Sequence, residues 1–156
     1  MTATDRFFVD TNVLLYSVDP SDAGKQEQAW EWLPLLWKQG RGSLSWQVLH
    51  EFYVNAIVKL RVARPEARKI VSAYSQWAPV DTSLGLIERA WHWMDQAQVS
   101  YWDGLIVSAA ERAGCRWLLS EDFQAGRRFG AVTIVNPFRQ GPEEFGLQAP
   151  EAKPHR

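Results

Sequence analysis

The chain has 156 residues, of which 46% are hydrophobic and 22% charged, so it is neither disordered nor fibrous and predicts one domain with a substantial core. Its 17 basic and 18 acidic residues nearly cancel, which excludes a surface that binds nucleic acid throughout but leaves room for a local basic patch. One cysteine, no signal-peptide pattern and no apolar run near the roughly 20 residues of a membrane span together predict a soluble, cytoplasmic protein with no membrane partner.

Short apolar runs alternate with longer helical patterns along the chain. Strands are predicted at 6–10, 42–45, 78–82, 116–120 and 131–136. Helices are predicted at 12–18, 23–40, 46–60, 64–77, 83–98 and 101–114, with Pro34 expected to kink or restart the second one. This order predicts an α/β fold, a mostly parallel five-stranded sheet with helices on both faces. The domain is expected to span 1–138, and 139–156, rich in Pro, Gly and Glu, to be a flexible C-terminal tail.

Two acidic residues follow predicted strands. Asp10 closes the apolar run at 7–9, and Asp122 comes shortly after Leu118 and Leu119. Ligands of parallel α/β sheets bind beyond the carboxyl ends of the strands. We therefore expect both carboxylates at the functional edge of the sheet.

Two further acidic residues lie in predicted helices. Glu51 is at helical spacing from Val48, Val54 and Val58, which predicts a helix that is buried nearly all round. Asp103 heads the apolar stripe of its own helix, which we expect to face the core. Both carboxylates are therefore expected beside the core.

Each acid has a structural explanation when taken singly. Asp10 and Asp103 can cap helices, Glu51 can pair with a backbone group or a buried Arg, and Asp122 can be a turn residue. Together they favour a metal site, because like charges at about 4 Å repel by roughly 4 kcal/mol at an effective dielectric near 20. Such a cluster needs protons or a cation, and oxygen ligands favour Mg²⁺ or Mn²⁺, ions that typically act on phosphates.

The motifs "FFVDTNVLLY", "LHEFYVNAI", "YWDGLIVSAAERAGC" and "LLSEDFQAG" resemble those of PIN-domain ribonucleases, and within them the VapC-like toxins of type II toxin–antitoxin systems. The resemblance covers residues 6 to about 138 and implies a PIN-like three-layer sandwich. It also implies Mg²⁺-dependent hydrolysis of RNA phosphodiester bonds, with Mn²⁺ as an alternative ion. On the matching positions, the catalytic and metal-binding acids are Asp10, Glu51, Asp103 and Asp122.

The same resemblance implies roles for the neighbouring residues and for partners. Thr11, Asn12 and Ser120 match supporting polar positions around the site. In "SED", Glu121 is the alternative to Asp122, although the spacing from the strand favours Asp122. The family further implies a homodimer and a cognate antitoxin whose C-terminal segment covers the active site.

Basic and aromatic residues offer weaker signals. Arg127 and Arg128 in "QAGRRFG" are candidate RNA phosphate contacts, with a solvated loop as the alternative. The tryptophan pairs at 30/32 and 91/93 are two residues apart, so one member of each is expected off the core stripe, giving an exposed aromatic surface.

Three other functions compete with the ribonuclease. A catalytically silent PIN-like binding module would be expected to have lost some of the acids. A phosphohydrolase that forms an aspartyl-phosphate usually has a second Asp two residues after the first, where this chain has Asn12. A DNA nuclease on the same acidic site generally carries more acids and additional DNA-binding elements.

Overall fold

Five strands form one sheet in the computed structural model, which describes residues 5–147. The strands are β1 (Phe7–Val9), β2 (Gly42–Ser43), β3 (Trp117–Leu119), β4 (Arg128–Phe129) and β5 (Val132–Val135). Their order is β2-β1-β3-β5-β4, and every pairing is parallel except that of β4 with β5. The predicted α/β class and mostly parallel sheet are confirmed.

Within residues 5–147, six α-helices and two short 3-10 helices connect and cover the strands. The α-helices are α1 (Thr11–Ser17), α2 (Ala23–Gln39), α3 (Trp46–Val58), α4 (Arg64–Tyr74), α5 (Leu84–Ala97) and α6 (Tyr101–Arg112). The 3-10 helices are Ser75–Trp77 and Pro142–Phe145. None of the helices within residues 5–147 is long and apolar enough to span a membrane.

The centre of the sheet is buried on both faces. Phe7, Phe8 and Val9 of β1 all have no exposed surface, although successive side chains of a strand point to opposite faces. Helices must therefore cover both sides, which gives three layers. Burial of this kind explains why the strand reads as a continuous apolar run rather than an alternating one.

The fifth strand is not the one predicted. Residues 78–82 contribute only a single parallel bridge, between Val80 and Ser45, and the actual fifth strand is β4. Two residues long and partly charged, β4 has no hydrophobic pattern to reveal it. It pairs with β5 through a turn in which Gly130 adopts φ 60°, a conformation that favours glycine.

Two helical details also differ from prediction. α2 continues through Pro34 as one helix, because Pro34 lies on the exposed face, where water can replace the missing hydrogen bond. The outer face of α3 is open, with Val54 56% and Val58 70% exposed, so the prediction of a helix buried nearly all round is wrong. Helical spacing had grouped Val54 and Val58 correctly, but no other element within residues 5–147 covers them.

The domain boundary predicted at residue 138 lies too early in the chain, because residues soon after it are packed in the core. Phe145 and Leu147 are buried, and the Phe145 ring packs 5.0 Å from Trp117 and 6.1 Å from Phe7 between centroids. The packed domain therefore extends to Leu147. The rest of the predicted tail, 148–156, lies outside the described residues.

Gly104 allows α6 to pack directly against α5. A β-carbon built at Gly104 would lie 2.8 Å from the Ala90 carbonyl oxygen, and the backbone there cannot move as a side chain can. This close approach fixes the first turn of α6, which carries Asp103.

We predict that Gly104→Ala lowers the free energy of unfolding by about 1–3 kcal/mol, because overpacking outweighs the better helix propensity of alanine. Gly85→Ala is the matched control, since its nearest neighbour is the flexible end of Arg112 at 3.2 Å. Urea unfolding of both variants measures the difference. A Gly104→Ala protein as stable as Gly85→Ala would contradict this packing.

Candidate active site

Asp10 lies at the carboxyl end of β1 and is the N-cap of α1. Its side chain is only 6% exposed. Oδ1 accepts a hydrogen bond from the Thr11 N–H at 2.8 Å, and Oδ2 accepts from the Ser120 hydroxyl at 2.7 Å. The residue therefore caps a helix and also belongs to a buried polar network.

Asn12 joins this network to the end of β3. Its Nδ2 group donates to Asp10 Oδ2 at 3.3 Å, to Ser120 Oγ at 3.0 Å and to Asp122 Oδ2 at 3.1 Å. Its Oδ1 accepts from the Glu121 N–H at 3.3 Å. Asn12 thus links the residues that follow β1 and β3, and its supporting role at an active site stays a prediction.

Glu51 approaches the network from α3. Its Oε2 accepts a hydrogen bond from the Thr11 hydroxyl at 2.7 Å, and its Oε1 accepts from the Gln47 side chain at 3.0 Å. Glu51 is half-buried, so its carboxylate reaches the site while remaining accessible. Gln47 was missed by sequence reasoning, because a polar residue one helical turn before an acid has no distinctive signal.

Asp103 approaches from the first turn of α6. Its N–H donates to the Ser100 hydroxyl at 3.1 Å, which caps the helix. Burial raises the pKa of Asp103, and the negative charges of Asp122 and Glu51 raise it further. Asp103 is therefore close enough to Asp122 and to Glu51 for their charges to act on it.

The same charges act on Asp10. Burial, together with smaller effects of the Asp122 and Glu51 charges, raises the pKa of Asp10 to about 7. The hydrogen bonds from Ser120 and Thr11 oppose this increase without cancelling it. The network therefore concentrates negative charge that a proton or a cation would relieve.

Carboxylate oxygens dominate the side chains that converge here, which suits a hard divalent cation. Across residues 5–147, no three Asp, Glu, His or Cys side chains form a ready-made metal-binding group. Thr11, Asn12 and Gln47 instead donate hydrogen bonds to the carboxylates. The donor set fits such an ion chemically, and these polar groups orient Asp122 and Glu51.

Glu121 and Asp122 point to different neighbours. Glu121 forms an ion pair with Lys25 at 2.7 Å, and the Lys25 ammonium lies 4.6 Å from the centre of the Tyr16 ring. Asp122 is exposed and contacts Asn12. The geometry therefore favours Asp122 as the fourth acid. Lys25, the half-buried partner of Glu121, was missed because a lysine at a helix start is unremarkable in sequence.

The two arginines do not join the acids. The Arg127 guanidinium donates to the Ala97 carbonyl and lies 4.7 Å from the centre of the Phe129 ring. It therefore contacts groups of the folded domain away from the acids. Arg128 shares a surface cavity with Cys115 and Arg116, which precede β3 at the opposite edge of the sheet. The prediction that they contact phosphate at the acidic site is not supported by these positions.

A protein-family model described as the PIN domain matches residues 7–128. The chain belongs to the PIN-domain family. PIN domains are typically nucleases that use divalent metal ions and bind nucleic acid substrates. The four acids all lie within the matched range. A search of curated proteins finds no match to the chain.

We predict that Asp122→Asn weakens Mn²⁺ binding by about 10-fold or more, a loss in the range seen when residues supporting a metal site are removed. Glu121→Gln, the adjacent matched change, should leave Mn²⁺ affinity unaltered because Glu121 pairs with Lys25. Titration calorimetry on the full chain measures both. A larger loss for Glu121→Gln would reverse the assignment.

Proposed function

We propose that this PIN domain is a Mg²⁺-dependent endoribonuclease and the toxin of a type II toxin–antitoxin pair. The observation that supports the proposal is the hydrogen-bonded network that joins Asp10, Asp122 and Glu51 through Thr11 and Asn12, with Asp103 near enough for the charges of Asp122 and Glu51 to raise its pKa. Asp10 and Asp122 come from the ends of β1 and β3, while Glu51 and Asp103 come from α3 and α6. Choosing RNA rather than DNA follows the resemblance of the four motifs to VapC-like toxins.

In the proposed reaction, the oxygen of a water molecule bonds to phosphorus and the P–O bond to one flanking ribose breaks. The ribose oxygen leaves with a proton from the water, as a hydroxyl group. Asp10, Glu51, Asp103 and Asp122 would hold one or two Mg²⁺ ions. When bound, Mg²⁺ supplies charge neutralisation at the phosphate and lowers the pKa of a coordinated water. Mn²⁺ offers the same octahedral oxygen chemistry.

The chain's own residues orient these acids. Asn12 and Ser120 hold the Asp10 carboxylate in one direction, and Thr11 holds Glu51. Rigid positioning of this kind is the main contribution a protein makes to phosphate hydrolysis with a bound ion. An aspartyl-phosphate enzyme usually has its second acid at the position of Asn12. Here that side chain is an amide that donates hydrogen bonds to Asp10 and Asp122.

The exposed apolar surfaces support the two proposed protein partners. Trp30 and Trp37 border a cavity of about 590 Å³ together with Pro34, which suits a docked antitoxin segment. The outer face of α3, with Val54 and Val58, suits a homodimer. Light scattering of the chain alone tests the homodimer, and light scattering after co-expression with the product of an adjacent short reading frame tests the antitoxin.

A cytoplasmic location is part of the same proposal.

We predict that Asp103→Asn reduces Mg²⁺-dependent cleavage of RNA by at least about 100-fold, because loss of one charged ligand disrupts a preorganised site. Asp95→Asn on α5 is the matched control and should retain full activity. The measurement is the initial rate on total RNA with Mg²⁺, with Mn²⁺ and with excess EDTA. Undiminished cleavage by the Asp103→Asn protein, or by the wild-type protein in excess EDTA, would contradict the proposal.

A further inference from the structure

A second concavity adjoins the acidic site. This cavity of about 510 Å³ is lined by the aromatic residues Trp46, Tyr101 and Trp102, and Glu51 forms part of the same wall. We call it the aromatic cavity. Its volume is in the range of pockets that hold small-molecule-sized groups, about 300–1,000 Å³.

Gln47 connects the aromatic cavity to the acids. Its side-chain amide donates to Glu51 Oε1 at 3.0 Å and to the Trp102 carbonyl at 3.3 Å. One side chain therefore sets the spacing between a proposed metal ligand and an aromatic residue. His50 and Thr82 also border the cavity and offer polar edges.

Trp102 is held in place yet open to solvent. It lies in the first turn of α6 beside Asp103, and 62% of its surface is exposed. The Tyr101 ring supports it at 5.3 Å between centroids and an interplanar angle of 62°. An ordered, exposed indole next to a proposed phosphate site is an available surface for a planar group.

We propose that the aromatic cavity holds an unpaired nucleobase of a single-stranded RNA, next to the phosphate at the acids. This inference rests on the proposed ribonuclease function and adds a base-binding subsite to it. Bases stack on exposed aromatic rings, whereas the faces of bases inside a duplex are already covered. Glu51 belongs to both the acids and the cavity wall, so an occupant of the cavity is connected to the phosphate site. That continuity favours a nucleotide over a protein segment.

The first test measures binding without cleavage. A labelled single-stranded oligoribonucleotide is titrated with full-length protein by fluorescence anisotropy, with Ca²⁺ replacing Mg²⁺ and intact RNA verified on a gel. Trp102→Ala should raise the Kd about 10-fold or more, in the range of one lost stacking contact. Trp102→Phe should retain most of the affinity, because the aromatic face is restored.

Trp91→Ala is the matched control. Trp91 is similarly exposed, at 50%, but lies on α5 and does not line the cavity. Its Kd should equal that of the wild type. Thermal unfolding of each variant checks that any loss of affinity does not come from misfolding.

The second test identifies the stacked base. Abasic nucleotides are placed one at a time around the position where wild-type protein cuts, or scanned along the oligonucleotide if it does not cut. One abasic position should weaken wild-type binding about as much as Trp102→Ala does, and should cause no further loss in the Trp102→Ala protein. Additive losses at every position would overturn the inference.

The outcomes separate this inference from the proposed function. Wild-type cleavage with an unchanged Kd in Trp102→Ala overturns the base site alone. Trp102-dependent binding without Mg²⁺-dependent cleavage overturns the ribonuclease and supports the base site. Equal affinity for single-stranded and duplex RNA also overturns the base site. So does a change in the oligomeric mass of Trp102→Ala by light scattering, because the cavity is then a protein interface.

Discussion

The parallel pairing of β1 with β3 is the constraint on which the site depends. Val9 lies opposite Leu119, so Asp10 and Ser120 leave the sheet side by side and their side chains meet at 2.7 Å. β2 pairs on one side of β1 and β3 on the other, which makes the carboxyl end of this pair the topological switch point of the sheet. A crevice opens at such a point because the connections diverge from it, and ligands of α/β sheets bind there. The polar residues that follow the two strands therefore need no long loops to reach one another.

The fold keeps these acids together at a cost in stability that a cation would offset. Burial and neighbouring charges move the pKa of Asp10 from 3.8 to about 7. This is about 4 kcal/mol of unfavourable free energy for ionising Asp10 in the folded chain. The cost is absent below pH 3.8, increases as pH rises, and is fully present above pH 7 in the metal-free protein. Hydrogen bonds from Ser120 and Thr11 limit it, and the half-exposed Glu51 and Asp103 leave the site open to an ion.

The acids could be predicted from sequence because each is a charged residue next to a strongly apolar stretch. Asp10 after β1 is the clearest example, since every residue of that strand is apolar and buried. The positions of Lys25 and Arg128 could not be predicted, because a single cation carries no pattern and its partner depends on how distant elements pack. Spacing grouped Val54 and Val58 on one face of α3, but whether a face is covered is decided by the rest of the chain. Phe145 was missed for the same reason, since one aromatic residue in a segment rich in Pro and Gly is bound only by tertiary contacts.

The central claim is that the four acids form one divalent metal site, and anomalous scattering from crystals grown with Mn²⁺ tests it most directly. The account predicts a single cluster of Mn²⁺ density bonded to carboxylate oxygens of Asp10 and Asp103, and none in crystals of the Asp10→Asn variant. Mn²⁺ bound only at sites away from these four carboxylates, in protein that cleaves RNA, would contradict it.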